Sequence, residues 1–201
     1  MRIVLLGDSI FDNAAYTDGD PAVADHLQKL LNGGDTVDLL ALDGSVTRGV
    51  TAEQVPAIPP EATHLVVSSG GNDALQYEWV LSEPVENVAE ALGVFREPLA
   101  QFERDYRTLL TALSETGKPV WCCTIYNGRL EPPMDKAAPV AIALYNDVIT
   151  RVAREFSYSV IELRQVCTDP EDYANPIEPS GPGGAKIARA ILAAISSENE
   201  T

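Results

Sequence analysis

One stretch near the start of this 201-residue chain sets its predicted architecture: Ile3-Val4-Leu5-Leu6-Gly7-Asp8-Ser9-Ile10. A short apolar run that ends at a glycine predicts a buried first strand followed by a turn. In an open parallel sheet, ligands bind at the carboxyl ends of the strands. We therefore expect the Ser9 hydroxyl to face a crevice at that edge, with the rest of the chain bringing other groups towards it.

Four further apolar segments resemble this first strand, and helical patterns alternate with them. The predicted strands are 37–42, His64–Ser68, 119–125 and 159–163, and the helical stripes begin at Pro21, Pro98, Pro139 and just before Ile187. Five buried strands alternating with helices predict a three-layer α/β/α fold with a parallel sheet, in one domain spanning 1–201. Residues 74–97 are less regular and are interpreted as a lid or pocket wall.

The composition restricts the partners and the compartment. The net charge of −16 argues against a nucleic-acid backbone or an anionic membrane as partner, because both repel a polyanion. The odd set Cys122, Cys123 and Cys167 predicts buried thiols rather than a disulfide framework. Only four apolar residues precede Gly7 and no run approaches the length of a membrane span, so we expect a cytoplasmic protein. The oligomeric state is left open.

Three strand ends carry the parts of an acyl-transfer site. Ser9 is the candidate nucleophile. The backbone N–H groups of Ser9 and Gly44, with the side-chain amide of Asn72, are candidates for an oxyanion hole. A glycine lets a substrate oxygen approach the backbone, and a neutral amide donates a hydrogen bond without adding a counter-charge. Each segment alone is also an ordinary turn sequence, but their order along the chain, each after a strand, favours a functional site.

These segments together resemble the SGNH hydrolase superfamily, also called GDSL esterases and lipases. Gly7-Asp8-Ser9-Ile10 is similar to the nucleophile block, Gly44 to the second block, and Gly70-Gly71-Asn72-Asp73 to the G-x-N-D block. The resemblance spans the whole chain. It implies a five-stranded parallel flavodoxin-like sheet and hydrolysis of a small-molecule ester or thioester. No cofactor and no metal ion are expected.

The fourth block departs from the family pattern. Where the family carries Asp-x-x-His before the last helix, this chain carries Asn175 and Glu178. The only histidines are His26, inside the first helix, and His64, which opens the third strand at the opposite edge of the sheet. Neither is in a position to replace the family's base, so we predict that Glu178 has this role.

The paired substitution preserves the charge of the site. A resting aspartate with a neutral histidine carries one negative charge, and so does asparagine with glutamate. Asn175 is predicted to donate a hydrogen bond that orients Glu178, without the repulsion that two carboxylates would suffer. Reference pKa values of about 4.3 for glutamate and about 6.5 for histidine make Glu178 the weaker base by roughly 3 kcal/mol, part of which burial would recover.

A second interpretation is a catalytically impaired family member that binds an acyl or glycosyl ligand in the same cleft. Glu178 would then cap or ion-pair the last helix, so its reach to Ser9 separates the two interpretations. The sequence does not name the substrate. Six residues are candidates either for the pocket wall or for packing: Tyr16, Tyr77, Trp79, Tyr126, Asn127 and Arg129.

A third interpretation is a Mg²⁺ site for phosphoryl chemistry, formed by Asp8, Asp12 and Asp73 at the strand ends. A partner lysine at the end of the fifth strand is missing, and Arg164 comes closest.

Overall fold

The computed structural model describes residues 1–198, and its centre is a parallel five-stranded sheet. The strands are β1 (Arg2–Gly7), β2 (Thr36–Leu39), β3 (His64–Ser68), β4 (Val120–Cys123) and β5 (Ser159–Ile161). Their order across the sheet is β2-β1-β3-β4-β5, and every neighbouring pair is parallel. The predicted α/β class and parallel sheet are confirmed.

Helices cover both faces of the sheet. They are α1 (Val23–Leu30), α2 (Thr47–Gly49), α3 (Gly71–Leu75), α4 (Val88–Val94), α5 (Arg96–Ser114), α6 (Met134–Glu155), α7 (Leu163–Val166) and α8 (Gly181–Glu198). A π-helical turn, Val50–Gln54, follows α2 directly, and short 3-10 turns occupy Ala14–Tyr16, Val55–Ala57, Glu78–Ser82 and Pro170–Asp172.

The two faces of β1 contribute to two separate hydrophobic cores. Ile3 and Leu5 pack with α1 and with the α8 stripe that Ile187 begins. Val4 and Leu6 pack with α5 and α6 on the other face. Because successive side chains of a strand point to opposite faces, the four consecutive apolar residues from Ile3 to Leu6 must be covered on both sides of the sheet.

Several element boundaries differ from the predictions. The second strand stops at Leu39, because the N–H groups of Leu40 and Ala41 both bond to the carbonyl of Leu5 and end the regular ladder. Leu30 is 42% exposed at the end of α1 instead of belonging to its buried stripe. The helix predicted to begin at Pro139 begins earlier, at Met134, and includes that proline. The N–H groups of Met134 and Asp135 both bond to the Glu131 carbonyl and form its first turn.

The segment 74–97 contains more regular structure than its sequence indicates, namely the Glu78–Ser82 turn and α4. All three cysteines are buried free thiols, as predicted. Within residues 1–198, no helix is both long enough and apolar enough to cross a membrane.

Candidate active site

Ser9 lies in a tight turn at the carboxyl end of β1 and is 8% exposed. Gly7 precedes it with φ +134°, and a side chain there would begin 1.8 Å from the carbonyl oxygen of Ser68. Only glycine therefore allows β1 to end so close to β3. The Asp8 carbonyl then accepts the N–H groups of Phe11 and Asp12, which closes the turn around Ser9.

Glu178 contacts Ser9 directly, although 169 positions separate the two residues. The Ser9 Oγ donates a hydrogen bond to Glu178 Oε1 at 3.1 Å. Glu178 is 6% exposed, and its second oxygen, Oε2, is buried with no hydrogen-bond partner among the described residues. Burial raises the pKa of Glu178 above its ordinary value, the hydrogen bond from Ser9 opposes this, and the charge of Asp43 adds to it. Glu178 is thus a stronger base than an exposed glutamate.

Asn175 orients Glu178 through the backbone rather than through the carboxylate. Its Oδ1 accepts the N–H groups of Ile177 and Glu178, each at 2.9 Å. The predicted donation from the Asn175 amide to the Glu178 carboxylate is not formed, because Glu178 Oε1 accepts from Ser9 and Oε2 has no hydrogen-bond partner among the described residues. Asparagine side chains commonly bond to the backbone two or three residues onward, and this local turn competes with a longer-range contact.

Two further side chains hold the loop that carries Glu178. The Tyr126 hydroxyl donates to the carbonyl of Ile177 at 2.6 Å. Asn13 is completely buried, and its Nδ2 donates to the carbonyl of Pro179 at 3.0 Å while its Oδ1 accepts the N–H of Val23. Asn13 therefore ties the Ser9 loop to the Glu178 loop. The sequence alone does not indicate this role for either residue, because no spacing rule pairs positions so far apart.

Gly44 and Asn72, two of the three candidate oxyanion groups, lie on adjoining segments. The Asn72 Nδ2 donates to the carbonyl of Ser45 at 3.0 Å, and Gly44 is the residue just before that contact. A side-chain amide carries two hydrogens, so this bond uses one of them. Gly44 has φ +77°, with no atom within 4 Å of the place where a side chain would begin. Asn72 lines a cavity together with Ser9, whereas Gly44, in the loop after β2, is not among the residues that line it.

Asp73 fixes the position of α3, which carries Asn72. Its Oδ2 accepts both the N–H and the hydroxyl of Thr47, each at 2.9 Å, and the Thr47 hydroxyl lies 2.8 Å from that of Ser69. Burial raises the pKa of Asp73, and the bonds from Thr47 oppose the rise. These contacts join the segments after β2 and β3.

Gln54, in the π-helical turn, supports the site in a way that its sequence does not predict. Its Oε1 accepts the N–H of Gly7 and its Nε2 donates to the carbonyl of Gly7, both at 2.8 Å. It therefore satisfies both backbone groups where β1 ends. A π-helical turn is often found at functional sites, but the sequence around Gln54 carries no signal for it.

The three aspartates considered for Mg²⁺ face different partners. Asp8 accepts the N–H of Ile10, Asp12 accepts the N–H of Asp43, and Asp73 is bonded to Thr47. Across residues 1–198, no group of three or more potential ligands is placed to hold a metal ion.

A cavity of about 940 Å³, including its open mouth, extends from Ser9. Its polar end contains Asp8, Ser9, Asn72 and Glu178. Its walls are mostly apolar. Leu75 of α3, Leu81 of the following 3-10 turn, and Ile142 and Tyr145 of α6 line it, and Phe95 joins them from the junction of α4 and α5. An apolar cavity with a few convergent polar groups is the usual form of a small-molecule site.

The six pocket candidates divide between this cavity and other places. Tyr77, Tyr126 and Asn127 line the cavity, and Trp79 lines a neighbouring groove. The Tyr16 hydroxyl donates to Asp43, and the Arg129 guanidinium contacts the carbonyl of Pro170.

The class of protein follows from these contacts. A serine hydroxyl that donates to a buried carboxylate, beside a neutral amide and an apolar cavity, is suited to acyl transfer from an ester. The sequence profile of the GDSL-like lipase/acylhydrolase family matches residues 5–183, and the chain belongs to that family. Its class is therefore that of an ester hydrolase.

Solved structures with this fold are similar over nearly the whole chain. The extracellular lipase of Streptomyces rimosus has 14% identity and a TM-score of 0.74, covering 96% of this chain and 99% of its own. The lipase Lip_vut3 from a goat rumen metagenome has 20% identity and a TM-score of 0.75, with 96% and 97% covered. The psychrotrophic esterase EstA of a Pseudoalteromonas species, solved with monoethylphosphonate as inhibitor, has 14% identity and a TM-score of 0.71, with 100% and 99% covered. No curated protein sequence matches the chain.

Proposed function

We propose that this protein hydrolyses small-molecule esters or thioesters with Ser9 as nucleophile and Glu178 as general base. The 3.1 Å hydrogen bond from Ser9 Oγ to Glu178 Oε1 carries the proposal. A general base must lie within hydrogen-bond reach of the proton that it removes, and Glu178 meets this requirement.

Each half of the reaction transfers one proton through Glu178. Ser9 Oγ attacks the ester carbonyl carbon, its proton passes to Glu178, and the carbonyl electron pair moves onto oxygen. When the C–O or C–S bond breaks, the leaving alcohol or thiol takes the proton from Glu178. Water then attacks the acyl group on Ser9, gives its proton to Glu178, and the Ser9 oxygen recovers a proton as the acid leaves.

The oxyanion is held by the N–H groups of Ser9 and Gly44 and by the side chain of Asn72. Donors fixed before the reaction stabilise developing charge without reorganisation. Two observations support this assignment. Asn72 lines the same cavity as Ser9, and the hydrogen bond from Asn72 to the Ser45 carbonyl keeps α3 against the loop that contains Gly44.

Glutamate suits the two proton transfers unequally. It removes the Ser9 proton less readily than histidine, although the raised pKa of Glu178 reduces that deficit. Once protonated, a carboxylic acid is a stronger acid than imidazolium and protonates a leaving group readily. The transfer of the Ser9 proton to Glu178 is therefore the step that limits the activity relative to an enzyme with a histidine base.

Active-site labelling tests the assignment of Ser9 and Glu178. A 4-nitrophenyl alkylphosphonate should form an adduct on Ser9 that mass spectrometry detects, with one 4-nitrophenol released. Ser9→Ala should remove the adduct, and Glu178→Gln should slow its formation by about 10²-fold or more. If Ser9 is never labelled, or is labelled equally fast in Glu178→Gln, the protein is better described as the ligand-binding alternative.

A further inference from the structure

The ionisable side chains that line the cavity are acidic, apart from its tyrosines. Setting the tyrosines aside, the ionisable side chains that line it are Asp8, Glu78 and Glu178, and no described lysine or arginine lines it. Arg129, which follows the lining residue Gly128, contacts the carbonyl of Pro170. A group bound in this cavity therefore meets acidic side chains without a compensating cation, although Asp8, whose pKa burial raises to about 7, is only partly ionised at neutral pH.

The negative charge is closest to the reacting atoms at Glu178. Its Oε2 is buried and unpartnered, so no donor from a described residue neutralises that oxygen. Asp43 adds to the negative potential, because its charge acts on Glu178. The Asp43 carboxylate accepts a hydrogen bond from the Tyr16 hydroxyl, and the backbone N–H of Asp43 donates to the Asp12 carboxylate. None of these contacts brings a positive charge to the cavity.

We propose that this site selects esters that are uncharged and rejects those whose acyl part carries a negative charge. The inference rests on the proposed function of Ser9 and Glu178. A histidine base is neutral before the reaction, whereas Glu178 is an anion in the resting enzyme and repels a second anion before any bond changes. The apolar walls also offer a carboxylate substrate no replacement for its lost water.

The selection should affect KM more than kcat. During the attack, the charge of Glu178 passes to the substrate oxygen, so the site carries the same total charge before and during the reaction. An anionic substrate is then repelled in both states, and an effect that is equal in both states changes binding rather than the chemical step.

Three 4-nitrophenyl esters separate charge from size. They are the hemiester of adipic acid, which is anionic, its methyl ester, which keeps the oxygens without the charge, and 6-methylheptanoate, which has the anion's shape in hydrocarbon. We expect kcat/KM to be about tenfold or more lower for the anion than for the methyl ester, with most of the difference in KM. The difference should shrink as salt is added. Equal kcat/KM for the anion and its methyl ester would overturn the proposal.

A matched pair of variants tests the source of the selection. Glu78→Gln removes a charge from the cavity wall, and Glu115→Gln removes the same charge at the exposed end of α5, at the opposite edge of the sheet. The ratio of anion to methyl-ester kcat/KM should rise several-fold in Glu78→Gln and stay unchanged in Glu115→Gln. Equal changes in both would show that net charge, not the cavity, causes the selection.

A binding measurement separates this inference from the catalytic proposal. In Ser9→Ala protein, calorimetry with 6-methylheptanamide and with the monoamide of adipic acid compares the same two shapes without turnover. The uncharged amide should bind about tenfold or more tightly. Equal or tighter binding of the anion refutes charge selection whether or not Ser9 is a nucleophile. Selective binding without any Ser9 labelling refutes only the catalytic proposal.

Discussion

Replacing Glu178 by glutamine separates a base from a structural acceptor. Glutamine has the same shape, and its Oε1 still accepts the Ser9 hydroxyl that now lies 3.1 Å from Glu178 Oε1. What it cannot do is take the proton. A general base contributes about 10²–10⁴-fold to a rate, and a carboxylate belongs in the lower part of that range because it is a weak base. We therefore expect Glu178→Gln to lower kcat/KM about 10²–10³-fold, which is roughly 3–4 kcal/mol.

The same substitution should stabilise the fold or leave it unchanged at neutral pH. A carboxyl group whose pKa is raised by folding contributes stability below its unfolded pKa, and this contribution is lost as pH rises through the folded pKa. The pKa of Glu178 is raised mainly by burial, so its ionised form costs stability at pH 7. Glutamine removes that cost. The melting temperature should be equal or higher at pH 7, and the difference from wild type should disappear in acid.

The assay is hydrolysis of a small activated ester, with thermal unfolding measured on the same preparations. Glu178→Asp is the control, because it keeps a carboxylate but shortens its reach to Ser9. It should lose activity through distance while keeping an acid-sensitive rate. If Glu178→Gln retains full activity with an unchanged melting temperature, Glu178 is only a hydrogen-bond acceptor and the proposed base is wrong.

Two further results follow from the geometry of the site. Asn72→Ala should lower kcat about 10²–10³-fold with little change in KM, as loss of an oxyanion donor does, and steady-state kinetics on the purified variant would show it. Asn175→Asp should reduce ester hydrolysis below wild type at neutral pH, because it brings a second carboxylate to the Glu178 turn and leaves Glu178 partly protonated. A fully active variant at either position would remove that residue from the account.

The fold could be predicted because its strands are recognisable from local sequence. The β1 run is apolar at every position and ends at a glycine that β3 leaves no room to replace. The start of α6 was missed because Pro139 was interpreted as a helix start, whereas the turn around Glu131 begins the helix earlier. Tertiary packing decides such boundaries more than local preference does.

The sequence indicates which residues form the centre of the candidate site, but not which residues hold them in place. Ser9 and Glu178 were paired by their register within a family pattern, and the structure brings their oxygens to 3.1 Å, while their roles stay predictions. Asn13 and Gln54 were not foreseen, because each bonds to backbone far away in sequence. Asn175 lies in the turn that carries Glu178, but its side-chain oxygen bonds to the backbone of that turn instead of its amide bonding to the Glu178 carboxylate.

Glu178 and Asp8 titrate in the same site, so the pH dependence of catalysis needs a control that separates them. Burial raises the pKa of Asp8 to about 7, with the charges of Glu178 and Asp73 adding to the rise. Asp8→Asn removes this second group. An acid limb that persists in Asp8→Asn does not come from Asp8.

The pH dependence of kcat/KM in acid, measured before and after Glu178 is replaced by histidine, tests directly whether Glu178 is the base. In wild type and in Asp8→Asn, kcat/KM should fall as pH falls, with an apparent pKa above the ordinary value of glutamate, because only ionised Glu178 accepts the Ser9 proton. In the double variant Asn175→Asp with Glu178→His, the limb should move to about 6.5, the range of histidine, and the activity at neutral pH should rise. A limb that stays at the same pH when Glu178 becomes histidine, or a wild type with no acid limb, would contradict the assignment of Glu178 as the base.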